Sequence, residues 1–97
     1  MRFGVFYELQ LPKPWAPGDE RRLFHEALDQ VALADRLGYD YAWEVEHHFL
    51  DEYSHSSAPE VFLAAAASRT TAPNITMSQS ACFRRAICEL KSVAPRL

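Results

Sequence analysis

The stretch ADRLGYDYAWEVEHHF, residues 34–49, decides the fold predicted for this chain, because it joins the end of a helix to a strand. Gly38 stands where a helix would stop in a left-handed conformation, which glycine adopts most easily. Residues 39–45 alternate aromatic residues and valine with other side chains, a pattern typical of a strand. A helix followed at once by a strand is half of a βαβ unit, so the other half is expected among the preceding residues.

The preceding residues predict a long amphipathic helix. Asp19 is a candidate N-cap, and Glu20 would complement the helix dipole in the first turn. Beyond them, apolar residues recur at three- and four-residue spacing and would form one face of about five turns. These residues are Leu23, Phe24, Ala27, Leu28, Val31, Ala34 and Leu37.

A first strand is predicted over residues 2–9, where aromatic and β-branched side chains dominate. Phe6 and Leu9 interrupt what would otherwise be a polar face, so both faces of this strand are expected to be covered. Residues 10–18 contain three prolines and a glycine, which predict a loop. Within this loop, Trp15 is interpreted as an anchor rather than a binding aromatic. Strand, helix and strand within 45 residues predict two adjacent parallel strands.

A second helix is predicted after a polar, irregular segment. Ser57 and Glu60 have the spacing of a capping box, and Pro59 suits a first helical turn. The alanine-rich residues 61–69 would continue this helix. A turn at residues 70–74 and a third strand opening at residues 75–77 are expected next.

Composition limits the function classes. The chain has 97 residues, a formal charge of −3 and a pI near 5.7, which argue against binding of nucleic acid or anionic membranes. Cys82 and Cys88 lack C-x-x-C spacing and are interpreted as free thiols. The chain shows no signal peptide and no apolar run long enough to span a bilayer, so a cytoplasmic location is expected.

The densest polar cluster comprises Glu44, Glu46, His47 and His48, and it would lie at the carboxyl end of the second strand. Ligands bind at such ends in α/β proteins, although a solvated polar loop would show the same composition. A metal site is not predicted, because strand alternation would turn His47 away from the other three. Glu44 and Glu46 are expected to be the charged neighbours of His47.

Four segments together resemble the N-terminal part of the bacterial luciferase-like flavin-dependent monooxygenases. They are MRFGVFYELQLP, the helix end ALADRLGYDYAW, the signature EVEHHF, and SSAPEVFLAAAASRT, in the order and spacing of that family. The resemblance implies an α/β fold, the N-terminal βαβα portion of a (β/α)8 TIM barrel. It also implies reduced FMN as cofactor, O2 and a small organic compound as substrates, and a flavin reductase as partner. By the same resemblance, His47 is the active-site acid/base beside the flavin ring, and Glu46 and His48 are supporting cofactor-binding residues.

After residue 76 the resemblance ends. The expected domains are therefore residues 1–76, a partial luciferase-like barrel domain, and residues 77–97, a divergent tail with one possible helix. Because a complete barrel needs eight βα units, the chain is expected to be a truncated piece that is inactive alone and self-associates through its open sheet. The alternative is a small α/β interaction module without catalytic activity.

Overall fold

The structure, a computed structural model, describes residues 1–71 and the backbone of residues 76–79. Five elements follow one another in strict alternation: β1 (Gly4–Tyr7), α1 (Asp19–Arg36), β2 (Tyr41–Glu44), α2 (Pro59–Arg69) and β3 (Thr76–Gln79). The strands form one sheet in the order β1-β2-β3, and both pairs are parallel. The α/β class and the βαβα order expected from the sequence are confirmed, and a third strand does open at this point of the chain.

The register of β1 and β2 separates the two faces of the sheet. Val5 lies opposite Ala42 and packs on the helices, whereas Phe6 lies opposite Trp43 on the other face. The core fills the space between the sheet and the two helices, with Val31 of α1 and Leu63 of α2 fully buried. The helices therefore cover one face of the sheet.

Among the described residues, no element covers the face turned away from the helices, which corrects the expectation that β1 is covered on both sides. Phe6, which lies on this face, remains 60% exposed. The sequence pattern of β1 indicates only that both faces of the strand are apolar. It does not indicate whether another part of the protein packs against the second face.

Both predicted strands are shorter in the structure, because the backbone groups near their ends form hydrogen bonds outside the sheet. Leu9 has a φ of 55°, and its carbonyl accepts from the His55 amide, so β1 ends at Tyr7. At the start of β2, the Tyr39 amide donates to the Ala34 carbonyl at 3.0 Å. This bond belongs to the end of α1, where Gly38 has a φ of 83°, as the sequence predicted.

Both predicted N-caps are wrong by one residue. The N-cap of α1 is Gly18, and Asp19 is the first helical residue, whose carboxylate accepts from the Ala16 amide at 2.8 Å. The N-cap of α2 is Ala58, so Ser57 lies outside the helix and no capping box forms with Glu60. Pro59 occupies the first turn as expected.

Trp15 anchors the loop after β1, as the sequence indicated. Its indole N–H donates to the Leu11 carbonyl at 2.7 Å, and its ring meets the His55 ring at 5.1 Å. The expected turn at residues 70–74 and the expected helix in residues 77–97 fall largely or wholly outside the described residues. Within the described part of the chain, neither helix combines the length and the apolar character needed to cross a membrane.

Candidate functional site

The candidate site lies where β1 and β2 end, because parallel strands bring their carboxyl ends to one edge of the sheet. The loops that leave this edge, residues 8–18 and 45–58, are tied to each other. Two backbone hydrogen bonds join them: the Leu11 amide donates to the Glu52 carbonyl at 3.0 Å, and the His55 amide donates to the Leu9 carbonyl at 2.9 Å. A salt bridge also joins Lys13 Nζ to Asp51 Oδ2 at 2.9 Å. A connected framework therefore carries the polar side chains at this edge.

His47 is held at this edge by contacts from three directions. Its amide donates to the Ser56 carbonyl at 2.8 Å. Its ring meets the Tyr53 ring edge-on, with centroids 5.6 Å apart, and its Nε2 lies 3.6 Å from Glu8 Oε2. The side chain is about one-third exposed, so a group bound beside the sheet can reach the imidazole.

The carboxylate beside His47 is Glu8, which corrects the expectation that Glu44 and Glu46 would be its charged neighbours. Glu8 follows the last residue of β1, and its Oε2 is buried without a hydrogen-bond partner among the described residues. That oxygen therefore retains the capacity to accept a hydrogen bond from an adjacent donor.

Glu46 and His48 form a separate pair at the surface. Their side chains approach to 3.0 Å between Oε1 and Nε2, and both are exposed. The predicted alternation of residues 44–48 does not apply, because β2 ends at Glu44 and the chain leaves the strand there.

Glu44 points into the helix-covered side of the sheet and is 3% exposed. Its Oε1 lies 2.6 Å from the hydroxyl of Ser56, which also lies 2.5 Å from the Val45 carbonyl. Burial raises the pKa of Glu44 to about 8, and the charge of Glu60 acts in the same direction, while the hydrogen bond from Ser56 opposes the shift. Glu44 is therefore a buried acid, although the polar residues around it in the sequence did not indicate that it would be buried.

Sequence reasoning missed Glu8, Ser56 and Tyr53 as site residues. One signal could have found Glu8: it is an acidic residue placed directly after a strand, at the end where ligands bind in parallel sheets. The contacts of Ser56 and Tyr53 depend on how the loop after β2 folds back, for which the sequence carries no periodic signal.

Two further features of the surface do not add to the site. Within residues 1–71, no three histidine, cysteine, aspartate or glutamate side chains converge in a way that could hold a metal ion. A groove of about 280 Å³ runs along the outer edge of β1 beside α1, lined among others by Phe6, Leu23 and Gln30. Its lining includes Glu8 but not His47. It lies where a further strand would pair with β1, so we attribute it to the open edge of the sheet.

Comparisons with known proteins identify relatives along most of the chain. The family model described as luciferase-like monooxygenase matches residues 1–86. Limonene 1,2-monooxygenase of Rhodococcus erythropolis is 39% identical over 70 residues, which cover 70% of this chain and 16% of that protein. The chain thus spans about one-sixth of the length of this curated relative.

Two solved structures share the fold. The oxygenating constituent of 3,6-diketocamphane monooxygenase from Pseudomonas putida, a type II Baeyer–Villiger enzyme solved in complex with FMN, superposes with a TM-score of 0.69 at 24% identity. The alignment covers 86% of this chain and 21% of that one. The monooxygenase RslO1 from Streptomyces bottropensis gives a TM-score of 0.66 at 34% identity, over 84% of this chain and 23% of its own.

The family match covers far more than half of the chain, and it includes both strands and both loops that build the candidate site. The chain therefore belongs to the luciferase-like monooxygenase family.

Proposed function

We propose that residues 1–76 form the first units of a (β/α)8 barrel in an FMN-dependent monooxygenase, and that His47 is its acid/base group. The observation that carries this proposal is the position of His47. It stands at the carboxyl end of a parallel strand, partly accessible, with a carboxylate 3.6 Å from its Nε2. An imidazole can donate or accept a proton near neutral pH, which oxygen chemistry on a small organic substrate requires.

The face of the sheet that the helices leave open fits the ring system of a flavin. Phe6 and Trp43 lie side by side in register on this face, and Phe6 is 60% exposed. Aromatic side chains offer flat apolar surface to a flat ring, and His47 and Glu8 stand just beyond the strand ends. When bound, reduced FMN supplies the electrons for the activation of O2.

The described residues fit the phosphate of FMN less well. Lys13 belongs to the loops at this edge, but Asp51 holds its ammonium group at 2.9 Å. The proposal therefore assigns phosphate binding to residues outside 1–71. Glu46 and His48, which pair with each other at the surface, are assigned to the rim of the flavin site.

A flavin reductase would supply the reduced cofactor, and the substrate would be a small organic compound, as the name of the limonene monooxygenase relative suggests. The expected cytoplasmic location belongs to the same proposal. The chain alone is expected to lack activity, because the two βα units and one strand among its described residues are a small part of a barrel of eight units.

A hybrid enzyme tests the proposal. Residues 1–71 of this chain would replace the matching segment of a full-length family member such as RslO1. FMN binding would be followed by fluorescence titration, and substrate-dependent oxygen consumption would be followed with an electrode. Retention of both properties supports the proposal.

The same titration distinguishes the proposed flavin role from the alternative, a non-catalytic interaction module. If the hybrid folds but ignores FMN at all concentrations, the flavin role of these residues is wrong. The open sheet face would then have to serve a protein partner instead. A second hybrid, carrying Phe6→Lys on the proposed flavin face, should bind FMN more weakly than the first.

A further inference from the structure

Two short oxygen–oxygen contacts at Ser56 and one backbone hydrogen bond link Glu44 to His47. The Ser56 hydroxyl lies 2.6 Å from Glu44 Oε1 and 2.5 Å from the Val45 carbonyl oxygen, and the Ser56 amide lies 3.2 Å from Ser54 Oγ. The Ser56 carbonyl accepts from the His47 amide at 2.8 Å. Ser56 is 1% exposed and Glu44 is 3% exposed, so water has little access to this cluster.

The number of protons in this cluster decides its hydrogen bonding. A serine hydroxyl has one proton, so it can donate to the Glu44 carboxyl or to the Val45 carbonyl, but not to both. An ionised Glu44 would leave one of these two oxygen–oxygen contacts without a proton, in a site that excludes water. A protonated Glu44 supplies the second proton, and each short contact then has one.

We propose that Glu44 and Ser56 are positioning residues for His47, and that Glu44 acts as a neutral carboxylic acid. Glu44 donates its proton to Ser56 Oγ, Ser56 donates to the Val45 carbonyl, and the Ser56 carbonyl holds the His47 amide. This inference rests on the proposed role of His47 for its functional meaning. Its physical content, a protonated acid that fixes a backbone segment, is independent of that role.

Burial and the charge nearest to Glu44 favour its neutral form and outweigh the hydrogen bond from Ser56, which acts against it. Burial raises its pKa to about 8, and the carboxylate of Glu60 in α2 is the charged side chain that adds to this effect. On β1, the register partner of Glu44 is Tyr7, and burial also raises the pKa of that phenol, which therefore adds no charge near neutral pH. The register partner on β3 is Gln79, an uncharged residue type. No charge of α1 acts on Glu44 among the described residues.

The test measures the protection of one amide against pH. In the 97-residue chain, hydrogen exchange of the His47 amide would be followed by NMR and corrected for the intrinsic dependence of exchange on pH. We expect protection to fall by about tenfold or more around pH 8, as Glu44 ionises and the hydrogen-bonded chain breaks.

Two variants and a matched control identify the group responsible. Glu44→Gln keeps a neutral donor at the same place, so His47 protection should persist across the whole range. Ser56→Ala removes the link, so protection should be low at every pH. Glu26→Gln makes the same chemical change on the exposed surface of α1 and should behave as the wild type does.

A measurement on the unaltered chain keeps the test decisive if a variant fails to fold. Infrared spectra should show the carbonyl stretch of a protonated carboxyl group at about pH 6, where exposed carboxyl groups are ionised. This band should disappear by about pH 9.5. Absence of the band at about pH 6, or a Glu44→Gln variant that loses His47 protection as the wild type does, overturns the proposal.

The outcome separates this inference from the proposed function. If the hybrid enzyme does not bind FMN, but protection of the His47 amide is lost as Glu44 ionises, the positioning role of Glu44 and Ser56 is supported and the flavin role is wrong. If the hybrid is active and His47 protection is independent of pH, the flavin role stands and the positioning chain fails.

Discussion

At the scale of single residues, the environment of His47 comes from parts of the chain that are distant in sequence. The carboxylate beside its ring, Glu8, is 39 residues away, and its amide is bound by Ser56, nine residues further on. The residue type and position of His47 could be identified from the EVEHHF segment. Its partners could not, because adjacent carboxylates such as Glu46 look equally close in sequence, and only the fold decides which one faces the ring.

Replacement of His47 by alanine tests its role in the hybrid enzyme. We expect turnover to fall by about 10² or more, the usual effect of removing a positioned acid or base. FMN affinity should change far less, because the phosphate is assigned to other residues. Steady-state kinetics and fluorescence titration measure the two effects separately.

Two further alanine variants control this prediction. His25→Ala removes an exposed histidine from α1 and should leave turnover unchanged. His48→Ala should have a smaller effect than His47→Ala, since His48 pairs with Glu46 at the surface. If His48 is the sensitive position, the assignment of the acid/base to the first histidine of the motif is wrong.

At the scale of elements, the helices were predictable and the strand ends were not. The apolar spacing of α1 is a signal repeated over five turns, and the structure has this helix at Asp19–Arg36. Each strand has only four residues, so a single competing hydrogen bond changes its length appreciably. The helix starts show the same limit: Ser57 has the right chemistry for a cap, but α2 begins one residue too late to use it.

The pairing of β1 with β2 depends on Gly4 at the start of the first strand. A Cβ at this position would lie 3.0 Å from Tyr41 Cβ and 3.1 Å from the Tyr41 carbonyl oxygen. Gly4→Ala should therefore force the two strands apart and lower the free energy of unfolding by about 1–3 kcal/mol, the range for overpacked sites. Urea unfolding followed by circular dichroism measures the change.

Gly18→Ala provides the contrast, because a Cβ there would meet no atom within 4 Å. Its φ of 87° makes alanine unfavourable for backbone reasons alone, so the expected loss is about 1–2 kcal/mol, without any displacement of the strands. Equal stability of Gly4→Ala and the unaltered chain would show that the strands can adjust without cost.

At the scale of the whole molecule, the buried acid Glu44 makes stability depend on pH. The pKa of Glu44 in the folded chain, about 8, lies above the ordinary value of 4.5, so the folded state keeps a proton that the unfolded state releases. The contribution of Glu44 to the free energy of unfolding is therefore greatest below pH 4.5 and is lost as the pH rises towards 8. The loss should approach about 1.4 kcal/mol per pH unit within this window.

Urea unfolding at a series of pH values checks this dependence. The stability of Glu44→Gln should change less over the same window, because the amide does not ionise. The Glu26→Gln control should follow the unaltered chain. A constant difference in stability between the unaltered chain and Glu44→Gln from about pH 5 to pH 8 would contradict the prediction.

The open face of the sheet predicts self-association of the chain. Phe6 lies on this face in register with Trp43 and is 60% exposed, and the outer edge of β1 has no strand beside it among the described residues. Sedimentation velocity should show larger species as concentration rises. Phe6→Lys should shift this behaviour to higher concentration by placing a charge on the apolar face.

Phe49→Lys is the matched control, since Phe49 is fully exposed but lies in the loop after β2. It should associate as the unaltered chain does. A chain that remains a monomer at all accessible concentrations would show that the apolar face is tolerated in water.

The register that pairs Gly4 with Tyr41 also has a consequence for synthesis on the ribosome. The first strand leaves the exit tunnel well before its partner, because 37 residues separate the paired positions. Throughout that interval α1 can form from local contacts, but β1 has nothing to pair with, and Phe3 and Phe6 are exposed to solvent in an extended apolar segment. We expect the nascent chain to be most dependent on chaperones during this interval. A translational pause before residue 41 should therefore lower the yield of folded protein more than a pause after residue 71.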